Sequence, residues 1–467
     1  MDSVDKNPLG YAPIKKLFFK LSIPSVLAQL VNLLYNLVDR IFIGHISEVG
    51  DLALTGVGVT FPLIIIISAF SCLCGMGGAP KAAINMGKGN IAEANKIMNN
   101  CFVMTLSFSI LLTIIVLIFK EPLLYLFAAS ENTIEYSLDY ITIYSLGTIF
   151  VMTSLGLNAF ITTQGYSKIS MINVCIGALV NIVLDPLFIY AFNLGVKGAA
   201  IATVISQAIT SFLVIRFLLS KKSKLRLNLK DMKLDIKIIM SVMALGLSPF
   251  IMQFTESILS ICFNTSLLKY GGDIAVGTMT ILTSLMQFAM LPLQGFASGA
   301  QPIISYNYGA KNPERVKKTF LLLFVISVSF SFVFWIVAMT FPTALISIFT
   351  TEISLIEFAS KAIRIYMAVI CLFGIQIACQ QTFVSLGNAP VSLFLALLRK
   401  VVLLIPLIYI IPSFMDNKCD AVFLAEPISD FIAVSVTGIM FLIVFNKTMK
   451  KISIDKHLVE GSENYDL

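Results

Sequence analysis

Long apolar runs divide the chain into twelve segments separated by short polar stretches. Runs such as Phe61 to Phe70 lack the alternation of apolar and polar positions that a membrane-spanning barrel strand requires. A helix needs about 20 apolar residues to cross a bilayer, and each run is long enough. The predicted segments 1 to 12 lie at 17–43, 53–79, 99–119, 136–162, 170–192, 198–220, 240–268, 275–305, 319–347, 359–385, 392–414 and 421–446. The pattern therefore predicts an all-α polytopic membrane protein.

The two halves of the chain repeat each other at an offset of 222 residues. The repeated motif is G-x-x-P, followed after six residues by G-x-x-N. It occurs at Gly77, Pro80, Gly87 and Asn90 and again at Gly299, Pro302, Gly309 and Asn312. The stretch 202–206 also resembles 425–429. Two six-helix repeats of equal orientation predict two lobes around a central cleft. The predicted domains are an N-lobe at 1–220, a basic cytoplasmic linker at 221–239, a C-lobe at 240–446 and a cytoplasmic tail at 447–467.

Composition and charge agree with a membrane protein. Hydrophobic residues make up 57% of the chain and charged residues 13%, against about 25% charged in a soluble domain. If alternate loops lie on opposite sides, 26 of the 33 Lys and Arg residues fall on the side that holds both termini. The positive-inside rule places that side in the cytoplasm. We interpret the basic cluster at 216–237 as a topology determinant that contacts anionic lipid, and expect no nucleic-acid partner.

Acidic side chains inside apolar segments are costly and are therefore candidate functional groups. Asp39 lies late in segment 1 and Asp185 late in segment 5, so both approach the outer leaflet. Asn181 lies one turn before Asp185 on the same helix face, and Thr203 opens segment 6 from the same side. Two carboxylates with amide and hydroxyl oxygens suit a hard cation or a shared proton. The alternative is that both aspartates are helix-end residues wetted at the interface.

Glu256 lies near the middle of segment 7, close to Gln253. We expect it to attract cationic amphipathic compounds into an apolar cavity; alternatively, its carboxyl group is hydrogen-bonded between helices. Pro24 and Pro249 each remove a backbone donor inside a helix and predict helix bending. Two cations in segment 11, Arg399 and Lys400, are expected to extend along the helix to its cytoplasmic end.

Enzyme chemistry has no support in the sequence. Phosphate-binding G-x-x-x-x-G-K-[ST], zinc-binding H-E-x-x-H and hydrolase G-x-S-x-G patterns are absent. ATP-driven pumping and hydrolysis are therefore disfavoured.

On these residues the whole chain resembles the multidrug and toxic compound extrusion (MATE) family. The resemblance is carried by the doubled glycine-proline element, by N-x-x-x-D-P at 181–186 and by the stretch 195–203, and it is closest to the MepA-like bacterial branch. It implies an antiporter of the bacterial inner membrane that exports drugs or toxic organic cations in exchange for H⁺ or Na⁺. No cofactor other than the coupling ion is implied, and we expect a monomer in contact with membrane lipid.

The resemblance also implies residue roles. Asp39, Asn181, Asp185 and Thr203 match the ion-coupling positions of one branch and would hold Na⁺ if Na⁺ is the coupling ion. Tyr140, Asn158 and Asn32 match polar positions of the substrate cavity, to which Glu256 and Gln253 are added. Another branch places a carboxylate on segment 10, where this chain has Tyr366 and glutamines, so a cation site in the second lobe is expected to be incomplete.

Two other functions remain open at this point. A flippase for lipid-linked saccharide precursors shares the helix number of the larger superfamily. Its anionic pyrophosphate substrates would require basic residues deep in the cleft, and the first ten segments contain none. A channel or membrane scaffold would tolerate loss of the aspartates.

Overall fold

The computed structural model describes residues 7–47, 49–127 and 129–463, and in this part of the chain all regular structure is helical. The α-helices are Pro8–Tyr11, Ile14–Gly44, Gly50–Gly87, Ile91–Leu126, Ile134–Leu146, Thr148–Thr163, Ser167–Pro186, Gly195–Leu219, Ile236–Gly309, Pro313–Thr340, Pro342–Ile346, Ile353–Tyr366, Phe373–Ser385, Ala389–Leu397, Ile405–Ile410 and Lys418–Glu463. Wider π-helical turns occupy Leu187–Ala191 and Leu398–Leu404. The prediction of an all-α fold is confirmed.

Within the described residues, nine helices are long and apolar enough to cross a membrane, or eleven if each of two bent pairs counts as one crossing. The bent pairs are segment 4, with a 57° bend between Ile134–Leu146 and Thr148–Thr163, and segment 10, with a 46° bend. The 74-residue helix Ile236–Gly309 is interrupted at Gly272, whose φ is 65°. Only glycine adopts this backbone conformation without strain, so Gly272 separates segment 7 from segment 8.

Pro24 and Pro249 both lie inside helices. The chain keeps helical backbone angles through each proline. Helix bending at these two positions stays a prediction.

The chain forms two compact units, which differ from the lobes predicted at 1–220 and 240–446. The N-terminal unit contains residues 23–253, and the C-terminal unit contains residues 1–22 and 254–467. The start of segment 1 therefore belongs with the second half of the chain. Residues 221–253, which include the predicted linker and the start of segment 7, belong with the first half.

Close glycine packing explains this exchange of helix starts. In the N-terminal unit, Gly77 of segment 2 packs against the backbone of Val242 and Gly246 in segment 7. In the C-terminal unit, Gly299 of segment 8 packs against the backbone of Ser22 in segment 1. A Cβ atom at either glycine would collide with main-chain atoms, so the repeated motif requires glycine at both places.

Polar contacts hold the same two chain segments on their units. The carbonyl oxygens of Leu9 and Ala12 accept hydrogen bonds from the Arg315 guanidinium at 3.1 and 2.8 Å. In the N-terminal unit, Gln164 Oε1 accepts from Lys224 N at 2.7 Å and from Leu225 N at 3.0 Å. The predicted basic linker is thus docked on the N-terminal unit by side-chain amides.

Each unit has its own apolar core. In the N-terminal unit, fully buried residues from segments 2 to 6 pack together, among them Met152, Ile141 and Ala199. The C-terminal unit has one cluster around Phe373 and Phe423 and another that includes residues of both chain parts, such as Phe18 and Phe383.

Candidate functional site

The four predicted ion-coupling residues come together inside the N-terminal unit. Asn181 Nδ2 donates a hydrogen bond to Asp185 Oδ1 at 3.1 Å and lies 3.5 Å from Thr203 Oγ1. The carboxyl groups of Asp39 and Asp185 lie close enough to interact electrostatically. Asn181 and Asp185 are completely buried, and Asp39 and Thr203 are less than a tenth exposed. Residues from segments 1, 5 and 6 therefore form one polar cluster, called here the aspartate site.

Local backbone features place these side chains. Asn181 and Asp185 are four residues apart in Ser167–Pro186 and so share a helix face. Pro186 follows directly, and the helix widens into the π-helical turn Leu187–Ala191. Such turns are frequent at functional sites. Gly198 packs on the backbone of Phe188, which brings the start of segment 6, and with it Thr203, close to segment 5.

Three buried oxygen atoms of the aspartate site accept no hydrogen bond from any described residue. They are Asp39 Oδ1, Asp185 Oδ2 and Asn181 Oδ1. Unsatisfied acceptors in a buried place cost free energy unless a proton or cation satisfies them. An all-oxygen set of this kind fits Na⁺ or a proton. In the described part of the chain, no three or more His, Cys, Asp and Glu side chains are grouped so as to hold a metal ion.

Two tyrosines lie at the edge of the aspartate site. Tyr140, predicted as a substrate-cavity residue, lies close to Asp39 and to the Thr203 side chain. Tyr35 also lies close to Asp39 and to the Gln207 side chain. Sequence reasoning missed Tyr35 and Gln207. Helical spacing could have found them, because Tyr35 precedes Asp39 by four residues and Gln207 follows Thr203 by four.

The other predicted cavity residues are placed apart from these contacts. Asn158 Nδ2 lies 3.5 Å from the Ser170 carbonyl oxygen, and Asn158 Oδ1 accepts no hydrogen bond. Asn32 is half-buried, and its backbone carbonyl accepts from Asn36. Gln253 is half-buried, with Oε1 lacking a donor. Their roles in a substrate cavity stay predictions.

Glu256 is paired with a cation of its own chain. Lys400 Nζ donates to Glu256 Oε1 at 2.6 Å. Arg399 donates to Asp430 at 2.6 Å and to Glu426 at 3.2 Å. The expectation that Arg399 and Lys400 extend to the cytoplasmic end of segment 11 is wrong. Both are buried, because three carboxylates within the C-terminal unit neutralise them.

Sequence reasoning also missed Glu426 and Asp430. The signal was present in the repeat, since the resemblance of 425–429 to 202–206 aligns Glu426 with Thr203. The ion-paired residues Glu256, Arg399, Lys400, Glu426 and Asp430 therefore lie on segments 7, 11 and 12, the counterparts of the segments that build the aspartate site.

Known proteins share both the sequence pattern and the fold. The MatE family model matches residues 24–187 and 249–410, once in each half of the chain. Multidrug export protein MepA of Staphylococcus haemolyticus (strain JCSC1435) is 25% identical over 426 residues, which cover 91% of this chain and 93% of that protein. MepA of Staphylococcus aureus (strain N315) is 24% identical over 400 residues, which cover 85% and 87%.

Solved structures agree at the level of the fold. A MATE protein crystallised in the bent conformation has a TM-score of 0.90 at 23% identity, covering 97% of this chain and 100% of that chain. The outward-facing conformation of a multidrug resistance MATE family transporter of the MOP superfamily has a TM-score of 0.89 at 23% identity, covering 96% and 99%. Since the MatE matches span more than half of the sequence, the chain belongs to the MATE family of multi-span membrane transporters, which are not enzymes.

Proposed function

We propose that this protein is a multidrug efflux antiporter that exports amphipathic, cationic compounds in exchange for H⁺ or Na⁺ bound at the aspartate site. The observation that carries the coupling proposal is the set of three buried oxygens without donors on Asp39, Asp185 and Asn181. Two buried carboxyl groups this close favour a shared proton, because both cannot ionise without a large cost. The remaining acceptors can take a second proton or a Na⁺ ion.

The export of drugs is supported by the relatives. Both MepA proteins are named as multidrug exporters and align with most of this chain. We further propose twelve membrane crossings, obtained when the helix Ile236–Gly309 is divided at Gly272 and each bent pair is taken as one crossing. Both termini are then cytoplasmic, and the transporter works as a monomer.

Coupling follows from the different affinities of two conformations. A bound cation shifts the conformational equilibrium only if it binds one state more tightly than the other. The aspartate site provides that difference if its oxygens are this close in one state and separate in the other. Substrate then binds the state that the cation disfavours, and the inward ion gradient drives the cycle.

The charged residues of the C-terminal unit weigh against the flippase alternative. A pyrophosphate group would need a free buried cation. Arg399 and Lys400 are both paired, with three carboxylates for two cations. The surroundings of these side chains therefore favour positive rather than negative substrates.

The proposal is tested by dye efflux from proteoliposomes under an imposed pH or Na⁺ gradient. We expect the parent protein to extrude a fluorescent cationic dye under one gradient, and Asp39→Asn and Asp185→Asn each to abolish this extrusion. Asp139→Asn is the matched control, because Asp139 forms only a partly exposed ion pair with Lys197 at 3.4 Å in the same unit. It should transport at the parental rate.

Protein folding is checked by size-exclusion profile and thermal unfolding of each variant. Gradient-driven efflux that persists in both well-folded aspartate variants would exclude the aspartate site as the coupling site. A well-folded parent without efflux of any cationic dye would contradict drug export itself.

A further inference from the structure

Five charged side chains form two neighbouring ion-paired groups in the C-terminal unit, Arg399 with Glu426 and Asp430, and Lys400 with Glu256. Together they are called here the charged cluster. Three carboxylates and two cations leave a net charge of −1 when all five are ionised. Buried charge of one sign is costly in a low-dielectric environment. The cluster is therefore one positive charge short of neutrality.

Only one member of the charged cluster is accessible. The side chain of Glu256 is 56% exposed, whereas those of Lys400 and Arg399 are 6% and 5% exposed. A carboxylate exposed in the middle of an apolar segment must face water, because contact with lipid hydrocarbon is too costly. Glu256 is thus the position at which an external ligand can reach the cluster.

The two cations are held very differently. Arg399 is fixed by two carboxylates, by the Phe373 ring 4.4 Å below its guanidinium, and by Ser429, which donates to its carbonyl. Among the residues that the structure describes, Lys400 has a single hydrogen-bond partner, Glu256, for three N–H donors. Its flexible stem allows the ammonium to change partner. Glu426 lies within electrostatic range of Lys400 and is a second carboxylate that this ammonium can reach.

The repeat supports an exchangeable cation at this place. The aspartate site, on the counterpart segments, leaves its oxygens without donors. In the charged cluster, by contrast, the Glu256 carboxylate accepts from the ammonium of Lys400, which lies in the π-helical turn Leu398–Leu404. Gln376 lies one turn beyond Phe373 and is buried, with Oε1 unsatisfied, so an acceptor without a donor is present here as well.

We propose that Glu256 binds one monovalent organic cation by exchange with Lys400. The incoming ammonium or iminium group takes the place of Lys400 at the Glu256 carboxylate. Lys400 then turns to Glu426 and neutralises the net −1 charge of Arg399, Glu426 and Asp430. With one bound monocation the cluster is neutral, whereas a dication leaves it at +1. This proposal rests on the proposed export of cationic compounds and adds the charge that the substrate must carry.

The test is equilibrium binding of two dyes with the same phenanthridinium ring, ethidium (+1) and propidium (+2), to the full chain in lipid nanodiscs without any ion gradient. We expect the parent to prefer ethidium by roughly tenfold. Lys400→Met removes the competing cation and leaves the cluster at −2. It should bind ethidium roughly tenfold more tightly than the parent and prefer propidium.

Three further variants complete the test. Glu256→Gln, at an exposed position that should not impair folding, is expected to weaken ethidium binding by roughly tenfold. Lys400→Arg restores the charge and should restore the parental preference. Lys361→Met removes an exposed ion pair with Asp420 in the same unit and should change neither affinity.

Ethidium affinity that stays unchanged or falls in Lys400→Met would overturn the exchange, and so would unchanged affinity in Glu256→Gln. Because binding is measured without a gradient, the result is independent of the efflux assay. If the parent binds the dyes with the expected preferences but shows no gradient-driven efflux, that result contradicts the antiport proposal and leaves the exchange at Glu256 supported.

Discussion

Gly77 packs directly against the backbone of Val242, so that segment 2 and the start of segment 7 touch without an intervening side chain. Gly299 has the same relationship with Ser22 in the C-terminal unit. These two contacts explain why the repeated glycine-proline motif has glycine at both positions. Each joins a helix start to the half of the chain to which it does not belong in sequence.

Substitution of Gly77 by alanine is expected to destabilise the protein by about 1–3 kcal/mol, since the new methyl group meets backbone that cannot turn away. Gly58 lies in the same helix with open space around its Cα. Gly58→Ala should therefore stabilise slightly, because alanine favours the helix by up to about 1 kcal/mol. Thermal unfolding of both variants in detergent is the measurement. Equal effects would contradict the packing role of Gly77.

The sequence predicted the repeat but not the exchange of helix starts. Its motif marked glycines at 77 and 299, and helical periodicity placed them on helices. The chain segment that packs against each glycine is determined by three-dimensional packing. Neither Val242 nor Ser22 lies in a sequence pattern that indicates such a contact. The contacts of polar residues that dock the linker, such as Gln164, could not be predicted from the sequence either, because an isolated glutamine at a helix end has many possible partners.

Asn181 holds Asp185 through one amide N–H and offers its own oxygen to the site. Asn181→Ala is expected to raise the coupling-ion concentration for half-maximal efflux by roughly tenfold or more, as for the loss of a polar contact to a charged group. Asn173→Ala is the control, at a buried asparagine two turns earlier in the same helix whose Nδ2 lacks a partner. Equal ion dependence in the two variants would argue against a role of Asn181 in ion binding.

More of the aspartate site than of the charged cluster could be predicted from the sequence. Asp39, Asn181, Asp185 and Thr203 are polar exceptions in apolar segments, and their positions along the helices put them at one depth. Arg399 and Lys400 lie near enough to a segment end that extension to the interface was the simplest expectation. The burial of Arg399 depends on Glu426 and Asp430, and that of Lys400 on Glu256. These carboxylates lie on other helices and come into contact with the two cations only through folding.

Replacement of Arg399 by methionine is expected to be severe. It leaves Glu426 and Asp430 buried without their cation, which should destabilise the protein by about 3–5 kcal/mol. The triple variant Arg399→Met, Glu426→Gln, Asp430→Asn removes the charges together and should recover most of that stability. Thermal unfolding of the two proteins gives the comparison. Failure of the triple variant to recover would indicate that the charges themselves, rather than their balance, are required.

The last prediction concerns the linker that is docked on the N-terminal unit. Gln164 Oε1 accepts hydrogen bonds from Ser223 Oγ, Lys224 N and Leu225 N. Gln164→Ala removes all three and should expose the following basic stretch, so that trypsin cleaves within residues 224–237 faster than in the parent. Gln164→Glu keeps the accepting oxygen and should preserve the parental cleavage rate.

The cleavage rate should depend on the Gln164 oxygen, because three donors of the linker share this one acceptor. Each donor that stays buried without an acceptor costs about 1–3 kcal/mol. Cleavage mapped by mass spectrometry distinguishes local release from global unfolding, since release confines new cuts to the linker. If Gln164→Ala and the parent are cut at the same rate, the side-chain amides of Asn95, Asn99 and Asn100 must hold the linker without Gln164. They accept from Arg226 N, Asn228 N and Asp235 N at 2.9, 2.9 and 2.8 Å.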